Sequence, residues 1–373
     1  MKHTIAVTGL HSGENPQPGV GVIRSLRRRY PDLTIIGLVY DVLESGIYLE
    51  ECADVVYNIP YPAAGSEAVL NRLEYIHAHT PIDVLIPTLD AEILAMIQLQ
   101  DVLEDSGIRM LLPTQESVNT RQKSELPDLV SACNVQTPRC RKVVDVAGLL
   151  AAAEEFTYPM VIKGPYYEAH KVDTQYGLLD QFYALMGRWG APIILQEYIL
   201  GPEFNVMAVG DGTGNTAGFC AIRKMIVSLQ GKGYGGIVIH DETLNAASMA
   251  LIEHLQWRGP CELEFIQDEC DGTVYLLEIN PRFPAWVDFP STFGFNMPAL
   301  VIEELLEGGM KPLPPCDPGY FYIRHTADIT CRVEDMGQLT TFGEWECRSH
   351  RDLPEIENER GQHGNTVLYT ADH

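Results

Sequence analysis

Four apolar runs of strand length set the first constraint on this chain. They are "TIAVT" (4–8), "TIIGLV" (34–39), "DVLIP" (83–87) and "RMLLP" (109–113). Helix-length segments fit between them, one starting near Gly19 and others over 65–79 and 91–105. Strands apolar on both faces are buried on both, and strands that alternate with helices form a parallel, helix-covered sheet. Residues 1–115 are therefore expected to form an α/β domain.

The pattern then shortens. "RCRKVV" (139–144), "PMVIKG" (159–164) and "PIILQEYI" (192–199) read as strands, with helices at 146–156 and 178–189 between them. This predicts a small α+β lobe over 116–195, entered through a linker helix in 116–135. Residues 196–310 are β-rich. Strands are expected at 204–211, 214–227, 261–267 and 273–280, with helices near 243–257 and at 297–307. The Pro-rich, weakly patterned segment 311–373 reads as an extension packed on this larger lobe.

Composition narrows the function. The formal charge is −25, and 46% of residues are hydrophobic. A duplex-binding surface needs clustered cations, so nucleic acid is not the expected partner. The one basic cluster, "RSLRRR" (24–29), falls in the first predicted helix and reads as an exposed face. Nine cysteines with no CxxC pair suggest reduced thiols in a cytosolic protein. No run reaches the ~18 apolar residues that a membrane span requires. The eleven histidines show no HExxH pattern, so a zinc enzyme is not indicated.

Chemistry enters at "CELEFIQDECDGTVYLLEINPRF" (261–283). Strict alternation puts Glu262 with Glu264, and continues the face of Val274 and Leu276 with Glu278 and Asn280. The intervening "DECDGT" predicts a hairpin. A two-residue Asp271-Gly272 turn sends Glu264 and Glu278 to opposite faces. An odd-length loop, with Gly272 left-handed, sets them side by side. Two facing carboxylates repel unless a cation lies between them; their oxygens and an amide oxygen suit Mg²⁺. Spacing alone gives equal weight to a solvent-facing edge strand.

Other residues are individually ambiguous. Lys163 ends an apolar strand, where it reads as a snorkelling surface lysine or a phosphate contact; Lys123, in "NTRQKSELP", is similar. "QEYILGPEF" (196–204) joins two strands by a short linker and reads either as an ordinary strand–turn–strand with two surface glutamates or as exposed backbone that can meet an adenine edge, with Glu203 placed for ribose hydroxyls. "GLHSGENPQPGVGVIRSL" (9–26) follows the first strand and precedes a helix, but lacks the G-x-G-x-x-G order of dinucleotide folds. Asp90 and Glu92 sit where a helix begins, a favourable place for acids on dipole grounds alone. They are weighed as structural before functional. Arg324 reads equally as a carboxylate clamp and a surface arginine.

Taken together, four blocks resemble the ATP-grasp family over about 115–305: "RQKSELPDLVSACNVQTP", "YPMVIKG", "LQEYILGPEFNVMAVGDG" and "CELEFIQDECDGTVYLLEINPRF". "LGPEFNV" is similar to D-alanine–D-alanine ligases, and "YLLEINPRF" to carbamoyl phosphate synthetase and biotin carboxylase. The resemblance implies two α+β lobes that clasp a nucleotide, preceded by a Rossmann-like parallel-sheet domain. It implies Lys123 and Lys163 at the ATP phosphates; Gln196, Glu197 and the Tyr198–Ile199 backbone at adenine; and Glu203 at ribose. Glu264, Glu278 and Asn280 would bind Mg²⁺ or Mn²⁺, and Arg282 would steady phosphate or acyl phosphate. Lys224 or its neighbour Arg223 would add a cation, since one side of that strand can face the site. One departure is the loop after Lys163, "GPYYEAHKVDT", which has a single glycine where relatives have several; His170 or Lys171 are candidates to compensate.

The implied activity is an ATP-dependent carboxylate–amine ligase that passes through an acyl phosphate. Its substrates would be small-molecule or peptide carboxylates and amines, and a homodimer would fit the family. The alternatives are an ATP-dependent carboxylase or carbamoyl-phosphate-type enzyme, and a non-catalytic nucleotide-binding module.

Overall fold

The computed structural model describes residues 3–121, 125–164, 168–227 and 233–347. The first sheet contains β1 (Thr4–Thr8), β2 (Thr34–Val39), β3 (Val55–Asn58) and β4 (Val84–Ile86), in spatial order β3-β2-β1-β4 and all parallel. Alternation splits its side chains between two cores. Ile5, Val7 and Ile35 pack under α1 (Gly19–Arg29). Ala6, Ile36 and Leu85 pack under α2 (Ser66–His79) and α3 (Asp90–Asp105). A Cβ on Gly19 would lie 2.1 Å from the Thr8 carbonyl oxygen, so only glycine lets α1 start this close to β1. The arginines of α1 lie on its outer side, with Arg24, Arg28 and Arg29 exposed.

"RMLLP" is not a strand. Only Arg109 bridges to Val84, although Met110, Leu111 and Leu112 are buried. Pro113 has no N–H to extend a ladder, and Thr114 already caps α4 (Gln115–Thr120) through the Ser117 N–H. The linker continues into α5 (Leu126–Ala132). Leu126, Leu129 and Val130 of α5 pack into the core of the larger lobe rather than the small one.

The small lobe is an antiparallel sheet of β5 (Cys140–Val143), β6 (Met160–Lys163), β7 (Ala169–Val172) and β8 (Ile193–Glu197), in order β5-β8-β6-β7. Helices α6 (Val146–Ala153) and α7 (Gln175–Trp189) begin at Asp145 and Thr174, whose side chains accept the Gly148 and Gly177 N–H groups. Both helices cover the face carrying Ile162, Val172 and Leu195. By register, Val161, Lys163, Lys171 and Gln196 share the opposite face. β7 lies inside the glycine-poor segment, where sequence patterning suggested only a loop.

The larger lobe adds β9 (Glu203–Asp211), β10 (Thr216–Val227), β11 (Gly233–Ile239), β12 (Arg258–Gln267), β13 (Val274–Asn280) and β14 (Phe321–Ile323), in order β13-β12-β9-β10-β11-β14. Its outer face, with Val206, Ala208, Leu263 and Phe265, packs on α5 and α8 (Glu242–Leu255). Its inner face divides along the strands. Met207, Val209, Cys220 and Ile222 join the core beneath α1, and the other end of the same face is polar. The segment from 311, expected on this lobe, splits. β14 pairs with β11, but β15 (Glu344–Glu346) adds antiparallel to β3 of the first sheet. Among the described residues no helix is long and apolar enough to cross a membrane.

Candidate functional site

The hairpin of β12 and β13 decides where the carboxylates point. Glu264 lies opposite Glu278, and Glu262 opposite Asn280. The turn is not an odd-length loop, however. Gln267 pairs with Val274, the Asp268 N–H donates to the Thr273 carbonyl, and Gly272 is left-handed at φ +76°. This even-length turn would send Glu264 and Glu278 to opposite faces. A bulge corrects the register: Glu264 pairs with Glu278 but Phe265 with Leu276, so Leu277 is the extra residue. Strict alternation is therefore wrong across this strand. Val274 and Leu276 pack with Ile279 in the outer core, and Glu278 and Asn280 turn to the inner, polar face.

Register gathers the rest of that face. Asn205 lies beside Glu264, and Lys224 beside Glu203. The Lys224 ammonium, only 6% exposed, donates to Glu203 Oε2 at 2.8 Å and Glu264 Oε2 at 2.9 Å. Burial would lower its pKa, but the two carboxylates outweigh burial and raise it. Burial would likewise push the Glu264 carboxyl up; the Lys224 ammonium, with Arg282 and Asn280, holds it below the usual range. Arg223 faces outward and is exposed, so Lys224 is the cation on the inner face.

Glu262 organises the adjoining corner. One of its oxygens accepts from Asn205 Nδ2 at 2.5 Å and Trp286 Nε1 at 3.0 Å. The other accepts from Arg282 Nη1 at 2.8 Å and Asn280 Nδ2 at 3.3 Å. Arg282 Nε reaches Asp90 of the first domain at 3.0 Å, and Arg121 Nη2 lies 3.6 Å from the same carboxylate. Burial would lower the Arg282 pKa, and Asp90 and Glu262 raise it instead. Asn280 also donates to Glu264 Oε1 at 3.1 Å. Arg282 is thus held by one acid from each of two domains.

The strand-linking segment is less uniform. Glu197 is engaged by Arg139, whose N–H and Nε donate to it at 2.6 and 2.8 Å. Lys171 Nζ lies 4.9 Å from the centre of the Tyr198 ring. Tyr198 and Ile199 lie between β8 and β9, and among the described residues no backbone hydrogen bond outside the strands engages either. Glu203, partly exposed at the start of β9, contacts Lys224. His170 pairs with Glu168 at 3.6 Å. Lys123 lies outside the described residues. Arg324 donates to the Gly233 carbonyl at 3.1 Å and lies over the Tyr234 ring, so it is built into the lobe rather than free on its surface.

Several members of this arrangement were not legible as such. Glu262 read only as the alternation partner of Glu264, and Asp90 as a helix-start acid. Asn205 and Trp286 carried no motif. Tyr322, on β14 opposite Gly236, has a buried hydroxyl with no hydrogen-bond partner among the described residues; burial pushes its phenol up to about 12.

Comparison with known proteins bears on this geometry. A family model described as "ATP-grasp in the biosynthetic pathway with Ter operon" matches residues 190–326. That match covers less than half of the chain, and likeness to solved structures over more than four fifths of it shows the fold. The chain has the ATP-grasp fold. It is similar to the L-amino acid ligase from Bacillus licheniformis, with TM-score 0.62, 17% identity and coverage of 83% of this chain and 78% of that one. It is also similar to a biotin carboxylase from Campylobacter jejuni, with TM-score 0.64, 17% identity and coverage of 82% and 71%. In sequence it is 25% identical over 238 residues to the carbamoyl phosphate synthase large chain of Thermoanaerobacter sp. (strain X514), covering 58% of this chain and 21% of that protein. The chain thus spans about a fifth of the length of that relative. The ATP-grasp match covers Gln196–Ile199, Glu203, Lys224, the β12–β13 hairpin, Arg282 and Tyr322, and leaves Lys163 and Asp90 outside it.

Proposed function

We propose that this chain is an ATP-dependent ligase that activates a carboxylate as an acyl phosphate and transfers the acyl group to an amine. The observation that carries the reading is the convergence of Lys224, Glu264, Glu278, Asn280 and Arg282 on one polar end of the inner face. Glu264 and Glu278, with the amide oxygens of Asn280 and Asn205, are hard oxygen donors. Asn205 Oδ1 is buried and has no hydrogen-bond partner among the described residues. Among the described residues no three His, Cys, Asp or Glu side chains form a self-sufficient metal cage. Such a set fits Mg²⁺ or Mn²⁺, which complete their shells with phosphate oxygens and water. When bound, the cation would screen the triphosphate and offset charge on the transferring phosphoryl group.

The chain's own residues do the remaining work. Bringing an anionic carboxylate to the γ-phosphate of ATP needs fixed positive charge. Lys224 and Arg282 supply it in a buried setting, where preorganised charge acts most strongly. Their hydrogen bonds to Glu203, Glu264, Glu262 and Asp90 fix both cations before substrate arrives. Lys163, at the end of β6, would bind phosphates from the small-lobe side, and Lys123 would be a second phosphate contact. The Tyr198–Ile199 backbone would hold the adenine edge, flanked by Gln196 and Glu197, and Glu203 would meet the ribose. A carboxylate oxygen attacks the γ-phosphorus and the bond to the β-phosphate oxygen breaks, giving acyl phosphate and ADP; the neutral amine then attacks the acyl carbon, an N–C bond forms, the C–O bond to phosphate breaks, and the amine's proton leaves with the phosphate or to solvent.

The carbamoyl phosphate synthase and biotin carboxylase likenesses favour a second reading, in which bicarbonate is the activated carboxylate. ADP release from the purified chain separates the two. Amine-dependent turnover with pooled amino acids supports ligation, and bicarbonate dependence supports carboxylation. ATP binding with no turnover under either condition overturns both.

A further inference from the structure

An open cavity lies in the first domain, at the carboxyl ends of β1, β2 and β4. Strand order there is β3-β2-β1-β4, so the chain reverses direction across the sheet between β1 and β4. In open α/β sheets the crevice at such a reversal is where ligands bind. The cavity is about 400 Å³, the size of a small-molecule site.

Its lining is chemically one-sided. Tyr40 and Tyr61 stack at 5.2 Å between ring centres and 19° between planes, and Leu43 and Leu89 add apolar wall. Tyr61 and Leu43 are 58% and 67% exposed, so a ligand entering the cavity would meet both from solvent. Among the described residues, the charged ones lining the cavity are Asp41, Glu44 and Glu92, and His11 is the one basic side chain there, with no lysine or arginine.

Two of the three acids are already occupied. Glu92 accepts from the Thr8 and Tyr40 hydroxyls and from the Thr88 and Leu89 N–H groups, the last two at 2.7 and 2.8 Å. Glu44 accepts the Leu10 and Tyr40 N–H groups, both at 2.8 Å. Asp41 is exposed, and Oδ1 alone accepts a bond, from the Leu43 N–H at 2.8 Å. Asp41 lines the same cavity as the tyrosine pair. A pocket with a carboxylate at its mouth, aromatic faces and no cationic wall favours a cation and repels an anion.

We infer that this cavity binds a primary ammonium carrying an aromatic or branched aliphatic group, its charge on Asp41 and its apolar part against Tyr61, Leu43 and Leu89. Resting on the ligase reading above, this ligand is the acceptor amine. Leu89 and Ala91 line the cavity while Asp90, between them, binds Arg282. The cavity wall and the clamp on Arg282 are thus one stretch of backbone.

The test is calorimetric titration of the full-length chain, without nucleotide, with phenethylamine, isoamylamine and phenylacetate. Both amines should bind and phenylacetate should not. Asp41→Asn, which keeps the acceptor for the Leu43 N–H, should weaken amine binding at least tenfold, and so should Tyr61→Ala. Both positions are exposed, and an unchanged thermal midpoint verifies that each variant is folded. Phenylacetate binding as tightly as the amines, amine affinity within twofold of wild type in Asp41→Asn, or no amine binding at millimolar concentration would each overturn the inference. The outcome is independent of turnover. Amine binding with no ADP release from any carboxylate leaves the pocket standing and removes the ligase reading. ADP release with no amine bound in the cavity does the reverse.

Discussion

Asp90 and Arg282 are 192 positions apart in the chain, yet their side chains meet at 3.0 Å, joining the first domain to the polar end of the larger lobe. Arg282 is also held by Glu262 at 2.8 Å, so Asp90 fixes the direction of a guanidinium whose position Glu262 already supports. Asp90→Asn should leave the fold intact and lower kcat by about 10- to 100-fold, the scale of a displaced electrostatic group. KM for ATP should change little, because the nucleotide contacts proposed for β6 and 196–203 lie elsewhere. Steady-state kinetics with varied ATP checks the split; an unchanged kcat would show that Asp90 only ties domains together.

Lys224 sits between two acids, and its removal leaves them facing each other. Breaking a buried pair from one side costs about 3–5 kcal/mol. Glu203 is 35% exposed and Glu264 24%, so solvent softens the loss and Lys224→Met should cost nearer ~2 kcal/mol at pH 7. The pH sign follows from Glu264. Its folded pKa is depressed from 4.5, so its stabilising contribution is present above about 4.5 and fades as pH falls through the lower folded value. The difference between wild type and Lys224→Met, read from urea unfolding, should therefore be largest at pH 7 and shrink below pH 4.5.

Tyr322 offers the opposite sign. A buried hydroxyl without a partner costs roughly 1–3 kcal/mol relative to one that is bonded, so Tyr322→Phe should hold or raise the thermal midpoint. The same hydroxyl lies on the inner face with Lys224 and Glu264, where a substrate oxygen would complete it. The variant should gain stability, by up to ~1 kcal/mol, and lose substrate affinity, seen as a raised KM for the carboxylate with KM for ATP unchanged. A fall in stability would mean that the hydroxyl is bonded in the folded protein.

Much of this was readable from residue order, and the failures have specific causes. The parallel first sheet follows from apolar runs spaced by helices, and the small-lobe strands from β-branched runs ending at Lys163 and Glu197. β11, "GYGGIVI", was missed because three glycines depress strand propensity. Yet a Cβ on Gly236 would sit 3.0 Å from both Ile222 and Tyr322, so close packing demands the glycine that hides the strand. The pairing of Glu264 with Glu278 was anticipated through the wrong device. An even turn plus a bulge at Leu277 replaces an odd loop, and a bulge leaves no mark in a pattern of period two. Asp90 was underrated because a carboxylate at a helix start has a sufficient local explanation. Its partner is 192 positions away, and nothing in the local pattern reports such a distance.

The turn between β8 and β9 yields the last prediction. Gly201 has no left-handed conformation to justify it, but a Cβ there would lie 1.7 Å from the Gln267 carbonyl oxygen. On either side of it, the Gln267 N–H donates to the Pro202 carbonyl at 3.1 Å and the Glu269 N–H to the Leu200 carbonyl at 2.9 Å. The turn is thus fastened to the end of β12 at van der Waals contact. Gly201→Ala must push the two apart, breaking one or both bonds at a cost of about 1–3 kcal/mol for an overpacked contact. Because the displaced segment adjoins Tyr198–Ile199 and Glu203, KM for ATP should rise several-fold while turnover at saturating ATP stays near wild type. Chemical denaturation and ATP titration together check this: lost stability with an unchanged KM for ATP would separate the turn from nucleotide binding.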